Sequence, residues 1–512
     1  MAQLYFDQGL RLTFSFYFPE ALASFNAALC FDPDNAMVQW GRALAIGPNP
    51  NSRYGRAKDD PEGLGKAALA SAKEKINKNP NAYSAFEVGL IEALAVLFDT
   101  DTYTSREARS QAFIVATQDL YAQYPQDLEV AFLAADAIMM ATPWQYFSPR
   151  DGSPINQGDK AQEIIEKALS IEPGHPGLTH LHIHLMENSI APQQAEASAD
   201  RLESLTPKAG HMVHMPGHIY MRVGRYQDAI LTNERSLEAD KYFAEVWGER
   251  EFPGGLTYGL SHRGHAGHAT NFIHWAAVLQ GNSARAIPAA KQMAESVSEN
   301  RITTGGGQRA IATYWMTLRM FGRWDDILAL QSPPQNTPYL LGMWHFMRGS
   351  ALLRKGDVEN AEQALVRLRG IQSDPKLKTL RVVVNSAGDL LSIAQHTLAG
   401  DIAQRKGDIR SAISEYKQAI LIQDQLRYME PPDWLQSTRL SLGQLYLSLK
   451  RFSDAELIFN EDLNLLQENG WALYGLLASM RGQNKAGPAA DAERRFKRAW
   501  QYADIDINTA YF

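Results

Sequence analysis

The feature that most limits how this chain can fold is a spacing that keeps coming back. Gly9 is followed by Ala21, Phe25 and Ala28, at intervals of 12, 16 and 19 residues, and then by Pro33. Gly400, Ala412, Tyr416 and Ala419 reproduce the same three intervals, and Gly443, Ala455 and Phe459 the first two. Gly217 with Ala229, and Gly349 with Ala361, keep the first alone. Small residues at a fixed interval let two helices cross closely. An aromatic one turn beyond fills the gap, and a proline stops the second helix. A unit of this kind cannot bury its apolar face alone and must stack on copies of itself.

These offsets resemble positions 8, 20, 24, 27 and 32 of the tetratricopeptide repeat (TPR), a 34-residue helical pair. Ala195, Ala199, Leu202 and Pro207 fit a repeat starting at Pro176, with Gly217, Tyr220, Gly224 and Ala229 fitting the next, from Gly210, 34 residues on. Further starts fall at Gly267 and near Gly342, Ile393 and Gln436. The resemblance implies an all-α fold, a TPR-like α-solenoid forming a right-handed superhelix of about ten helical pairs. Residues 1–512 are expected to form one continuous array, with central repeats at 176–290. Two insertions break the period, at 143–158 and at 244–266. The first holds Trp144, Tyr146 and Phe147, and the second Trp247, Tyr258 and several glycines. Long loops on a compact array are places for lids and walls.

Composition excludes several classes. No run approaches 18 apolar residues, so a membrane span is not expected. The N-terminus has no basic segment ahead of an apolar one, so a secretory leader is not expected. With 50 basic against 57 acidic residues and a net charge of −7, no basic surface is expected for nucleic acid. The single cysteine, Cys30, excludes a disulfide framework and a thiolate-rich metal site. A cytoplasmic protein is the expectation.

The histidines are concentrated. Of 13 in the chain, those at 175, 180, 182, 184, 211, 214, 218, 262, 265, 268 and 274 fall within 100 residues, where an even spread would put about 2.5. By the TPR resemblance, positions 2, 5, 9, 12 and 13 face the concave groove. His180, His184 and Glu187 take positions 5, 9 and 12 of the repeat from Pro176. His211, His214 and His218 take 2, 5 and 9 of the repeat from Gly210, and His268 takes position 2 of the repeat from Gly267. Spacing alone supports this, because residues at i, i+4 and i+7 share a helix face. Successive first helices packed about 8–10 Å apart would bring the two stripes together. Imidazole is the commonest protein ligand for zinc, copper and iron. His180, His184, His211, His214, His218 and His268 are therefore candidate metal ligands, enough for a dinuclear centre. An anion-binding or purely structural histidine cluster is the alternative. Glu187 is a candidate ligand or base, and Arg222, at position 13, a candidate carboxylate clamp or surface ion pair. His175, His262 and His265 are candidates for a lid or an outer, orienting role. His274, His345 and His396 sit at packing positions, and His182 falls off the stripe.

The segment from His175 to Gly281 also resembles a group of bacterial TPR proteins with His-rich central repeats. The matching residues are His175-Pro176-Gly177, His180-x3-His184-x2-Glu187, Gly210-His211-x2-His214-Met215-Pro216, His218-Ile219-Tyr220-x-Arg222-x-Gly224 and His268, with Trp40-Gly41 through Gly47-Pro48 near the start. The chain departs from the group at His182 and in the His-Ala-Thr-Asn run at 268–271. That resemblance supplies no activity. P-loop, G-x-S-x-G and H-E-x-x-H motifs are absent. A thiolate-free, all-imidazole site favours copper or iron. The functional expectation is a copper (or iron) oxidoreductase using dioxygen on a small organic or peptidic substrate held in the groove, with no nucleic-acid or membrane partner. The alternatives are a zinc-dependent hydrolase at the same site and a non-catalytic TPR interaction scaffold.

Overall fold

In the computed structural model the described residues are 1–48, 60–148, 151–247 and 265–511, with Trp247 described in its backbone only. His262, Tyr258 and most of the 244–266 insertion lie outside them. The fold is an all-α, TPR-like solenoid, 72% helical, and the described residues contain only two isolated β-bridges, Phe147 with Pro154 and Arg381 with Ser386.

The sequence arithmetic has a direct physical counterpart. A Cβ added at Gly9 would come within 2.7 Å of the Phe25 ring, one at Gly400 within 2.6 Å of Tyr416, and one at Gly443 within 2.6 Å of Phe459. Glycine at position 8 is thus the socket for the aromatic at position 24, and these aromatics are fully buried. Several pairs turn at position 15 through a left-handed backbone. Gly224 and Gly407, with φ of 79° and 80°, meet that demand at no steric cost.

Contacts divide the chain into two compact units. The first comprises residues 1–219 and 232–268. It starts with the pair Ala2–Phe14 and Phe18–Phe31 and includes Leu128–Ala141 with Gly158–Ile171 and Pro176–Met186 with Glu196–Leu205. The second comprises 220–231 and 269–512. Among its pairs are Pro338–Arg354 with Val358–Ile371, Ala387–Arg405 with Ile409–Gln423, and Thr438–Ser448 with Phe452–Leu465. The segment after residue 470 is a regular pair, Gly470–Gly482 and Ala486–Ala499.

Two local departures shape the histidine region. The first helix of the Gly210 repeat runs Gly210–His214 and then Pro216–Arg222. Pro216 has no N–H to give to the preceding turn, so the helix is interrupted at Met215. Its partner, Tyr226–Trp247, is long and runs into the expected start of the second insertion.

Candidate metal centre

Six of the sequence-derived candidates form two triads within the first unit. Ligand atoms of His180, His184 and His211 lie within 4.8 Å of one another, and so do those of His214, His218 and His268. Three nitrogens about 2.0–2.1 Å from one tetrahedral ion would stand roughly 3.3 Å apart, so both triads are close to the size a metal requires. His180, His184, His214 and His218 are buried, while His211 and His268 are partly covered.

The rings are held from behind. His180 donates Nδ1–H to the carbonyl of Phe14 at 2.7 Å. His214 faces the Asn233 side-chain oxygen through Nδ1 at 2.6 Å. Glu187 lies between two rings, with Oε1 3.2 Å from Nδ1 of His184 and Oε2 2.5 Å from Nδ1 of His218. Trp144 donates its indole N–H to Oε1 of the same carboxylate at 2.6 Å. With Nδ1 of these four rings committed to an acceptor, their Nε2 atoms are left to face inward. His180 and His211 then meet Nε2 to Nε2 at 3.1 Å, and His214 and His218 at 3.0 Å. Metal-binding histidines are oriented in this way, with the outer N–H on a carboxylate or carbonyl.

Burial pushes the imidazoles of His180, His211 and His214 well below their ordinary pKa, and each is pushed further by neighbouring rings, chiefly His184, His180 and His268 respectively. These rings are neutral near pH 7, the form that ligates a metal. For Glu187, burial is the largest single influence and pushes upward. The charge and hydrogen bonds of His218 and His184 together outweigh it and hold the carboxyl below its ordinary range. An ionised, fully buried Glu187 is thus an orienting acceptor for two of the rings.

The remaining candidates are placed differently. His175 caps the N-terminus of its helix, where Nδ1 accepts the Leu178 N–H at 3.1 Å, and its ring packs on Phe14. His265 stands with its ring 4.8 Å from His214 and 5.6 Å from His211. Its Nδ1 is 3.2 Å from Asp240, and its buried Nε2 has no hydrogen-bond partner among the described residues. His262 lies outside the described residues. Arg222 belongs to the second unit, with its guanidinium 6.0 Å from the Tyr428 ring centre. His182 packs against the second helix of its pair, with Nδ1 2.9 Å from Ser198. His274 bonds Thr317 at 2.7 Å and His396 bonds Glu415 at 2.6 Å.

Three contributors were not singled out from the sequence. Phe16 packs against His180, His184 and His211 at 4.4, 5.6 and 5.8 Å between ring centres, tilted to the first and stacked on the other two. It does so from position 15 of the first repeat, in the left-handed region at φ 58°. Asn233 stands at position 24 of the Gly210 repeat, where Phe25, Tyr416 and Phe459 stand in others. The Phe14 carbonyl completes the set. The legible signals were an aromatic at a glycine position and an amide at an aromatic one. The long-range approach of residues 14–16 to residue 180 carries no sequence signal.

No protein-family model matches the chain, and no curated protein matches it. Among solved structures it is similar to the human IFIT1 dimer with m7Gppp-AAAA, at 12% identity over 96% of this chain and 95% of that one, TM-score 0.33. It is also similar to yeast Tom70, at 11% identity over 95% and 89%, TM-score 0.31. A third is the APC/C hetero-tetramer Cut9-Hcn1, at 12% identity over 98% and 94%, TM-score 0.26. These are TPR-repeat, all-helical proteins, and the likeness is one of fold alone. One expectation is corrected here. The small-molecule or peptide substrate, and the exclusion of nucleic acid, do not stand, because the similar arrays are seen with a capped RNA or with another protein. Net charge describes a whole chain and not one groove of it, so it does not by itself exclude such a partner. No described helix is long and apolar enough to cross a membrane.

Proposed function

We propose that this chain is a metal-binding helical-repeat protein. His180, His184 and His211 hold one transition-metal ion, and His214, His218 and His268 hold a second. The observation that carries this reading is the meeting of His214 and His218 through Nε2 at 3.0 Å, while Asn233 and the Glu187 carboxylate engage their Nδ1 atoms. Two inward lone pairs at that distance repel unless a cation lies between or beside them. A second proton on His218, paired with the buried Glu187 carboxylate, is the other way to provide it, and a bound metal would displace that proton. Three imidazoles per ion and no thiolate favour copper, with iron or zinc as the alternatives. When bound, copper or iron would supply redox chemistry with dioxygen, and zinc Lewis acidity. The chain's own part is to orient and shield. Glu187, Phe14 and Asn233 fix which nitrogen faces inward. Trp144 keeps the Glu187 oxygen in place, and Phe16 covers the first triad.

A second reading, a non-catalytic scaffold for a macromolecular partner, is favoured by a separate groove in the first unit. It is lined by Phe6, Trp40 and Phe86 together with Asp34, Asp127 and Glu129. The two readings part on elemental analysis. The purified chain is expected to carry, or take up on anaerobic reconstitution, one to two equivalents of a first-row transition metal, and the His180→Ala/His214→Ala variant to carry almost none. Near-zero metal in both would overturn the metal reading and leave the scaffold.

A further inference from the structure

The second unit carries its own cluster of buried polar groups, far from what repeat packing needs. Arg319 is 3% exposed and Asp401 8% exposed, and they pair at 3.2 Å. Arg319 also donates to Gln436 and to the hydroxyl of Tyr511. Tyr511 donates in turn to Asp401, at 3.0 Å from Oδ2 and 3.2 Å from Oδ1, and the Tyr416 hydroxyl reaches Asp401 at 2.7 Å. The guanidinium of Arg354 stands 5.4 Å, and that of Arg319 4.9 Å, from the Tyr511 ring centre. Beside them Gln444 accepts the backbone N–H of Ala510 at 3.0 Å.

The repeat register says what kind of surface this is. With position 15 set at Gly322, Gly356, Gly407 and Lys450, all with positive φ, Arg319 is position 12, Arg354 position 13, and Asp401 and Gln444 both position 9. By the TPR resemblance these are groove-facing positions, and position 9 is also the one that carries His184 and His218 in the first unit. Residues 509–511 therefore lie on the groove face of the second unit as a bound segment would. The way they are attached agrees. Asp504 accepts the backbone N–H groups of Ser283 and Ala284 at 2.7 and 2.6 Å, and Ala510 and Tyr511 are buried. Most residues between these anchors are exposed or half-exposed. A segment held at its ends, with one further bond from the Trp500 indole to the Ile505 carbonyl and a mostly solvated stretch between, makes few contacts for its length, and such segments open at low cost.

We propose that this face of the second unit is a docking site for a tyrosine-bearing segment of a protein partner, and that residues 509–511 are its intramolecular occupant, displaced when such a segment binds. The phenol is the specific element. Its ring lies against two guanidiniums, and its hydroxyl completes an Arg–Asp pair that burial would otherwise leave short of a partner. The tethered segment competes because its tether gives it a high effective concentration.

The test uses the full chain and a fluorescent peptide of residues 504–512, with binding read by anisotropy. The Tyr511→Ala chain is expected to bind the peptide at least about tenfold more tightly than the parent chain. A peptide carrying Tyr511→Phe should bind the same variant about tenfold more weakly, the loss of one hydrogen bond to a charged group. If Tyr511→Ala loses helical content, the Asp504→Ala chain takes its place. It keeps the pocket and the phenol but loosens the tether, so peptide binding should again improve over the parent. Equal binding by parent and variant, no binding by a folded variant, or indifference to the phenylalanine replacement would each overturn the proposal.

Discussion

The repeat from Gly210 and the repeat from about Ile393 share a register and put it to opposite uses. In the second, position 24 is Tyr416, seated against Gly400, position 15 is Gly407, and positions 5 and 9 are Thr397 and Asp401. In the first, position 24 is Asn233, and positions 5 and 9 are His214 and His218. An aromatic that elsewhere fills the helix crossing has become an amide that orients a histidine. The comparison teaches that chemistry enters this fold at template positions whose packing residue has been exchanged. The repeat supplies the geometry, and the exchanges supply the donors.

The largest effect should separate donors from packing outright. The His184→Ala/His218→Ala variant removes one ligand from each triad and leaves the helix crossings intact. Its metal content, by elemental analysis, should fall nearly to zero while far-UV circular dichroism stays that of the parent. Retention of metal would break the comparison. The complementary change is Phe459→Ala, at position 24 of a repeat in the second unit, where the ring fills the space beside both Gly443 and Gly475. Removing a buried aromatic costs about 3–5 kcal/mol, so the denaturation midpoint should drop sharply with metal content per folded chain unchanged.

A smaller effect sharpens the role of Glu187. If it orients His184 and His218 rather than binding metal itself, Glu187→Gln should weaken metal binding about 10- to 100-fold without abolishing it, as loss of an orienting partner does. Titration against a chelator of known affinity measures this. Complete loss of metal would make Glu187 a ligand.

Buried histidine outside the cluster gives a contrast at low pH. His274, in the second unit, is held neutral by burial, with a lesser contribution from Arg309, and its pKa is pushed down to about 3. The unfolded chain therefore binds a proton there that the folded chain refuses. Stability is full above about pH 6.5 and falls as pH drops toward 3. At pH 5.5 the cost is about 1.4 kcal/mol from this one group. His274→Asn, which keeps a donor for Thr317, should remove that share of the acid sensitivity in denaturant titrations at pH 5.5 and 7.5. An unchanged pH slope would show that the ring is not held neutral.

How much of this was legible depends on whether the signal was local. Gly9 with Phe25, or Gly443 with Phe459, reports a helix crossing because both partners lie in one repeat. The stripes at 180/184/187 and 211/214/218 report a shared face for the same reason, and their 34-residue offset reports that the faces are neighbours. The hold of Phe14 on His180 spans 166 residues and has no period to betray it. Arg222 is a groove candidate by register alone, at position 13, and the register does not say where one packed unit ends and the next begins. Trp144 was visible as an aromatic in an insertion, but its bond to Glu187 depends on the path of that loop.

Phe16 offers the smallest effect and the finest test. Its position is the turn where Gly224, Gly281, Gly356 and Gly407 all take positive φ, and a bulky residue there costs roughly 1–2 kcal/mol. Phe16→Gly removes that strain. It also forfeits packing against the three imidazoles, worth about 0.5–1.5 kcal/mol for an aromatic pair, and adds freedom to the unfolded chain. Because the half-buried ring also returns its apolar area to water, strain relief offsets only part of the loss, and the melting temperature should fall modestly, well short of the fall for a fully buried aromatic such as Phe25. The cover over the first triad is nevertheless gone. Metal held by His180, His184 and His211 should then pass to an added chelator faster than in the parent, with metal on the second triad unaffected, giving two-phase release where the parent shows one. A large loss of stability would instead make Phe16 a packing residue of the same kind as Phe25, and would erase the distinction between a position exchanged for chemistry and one kept for the fold.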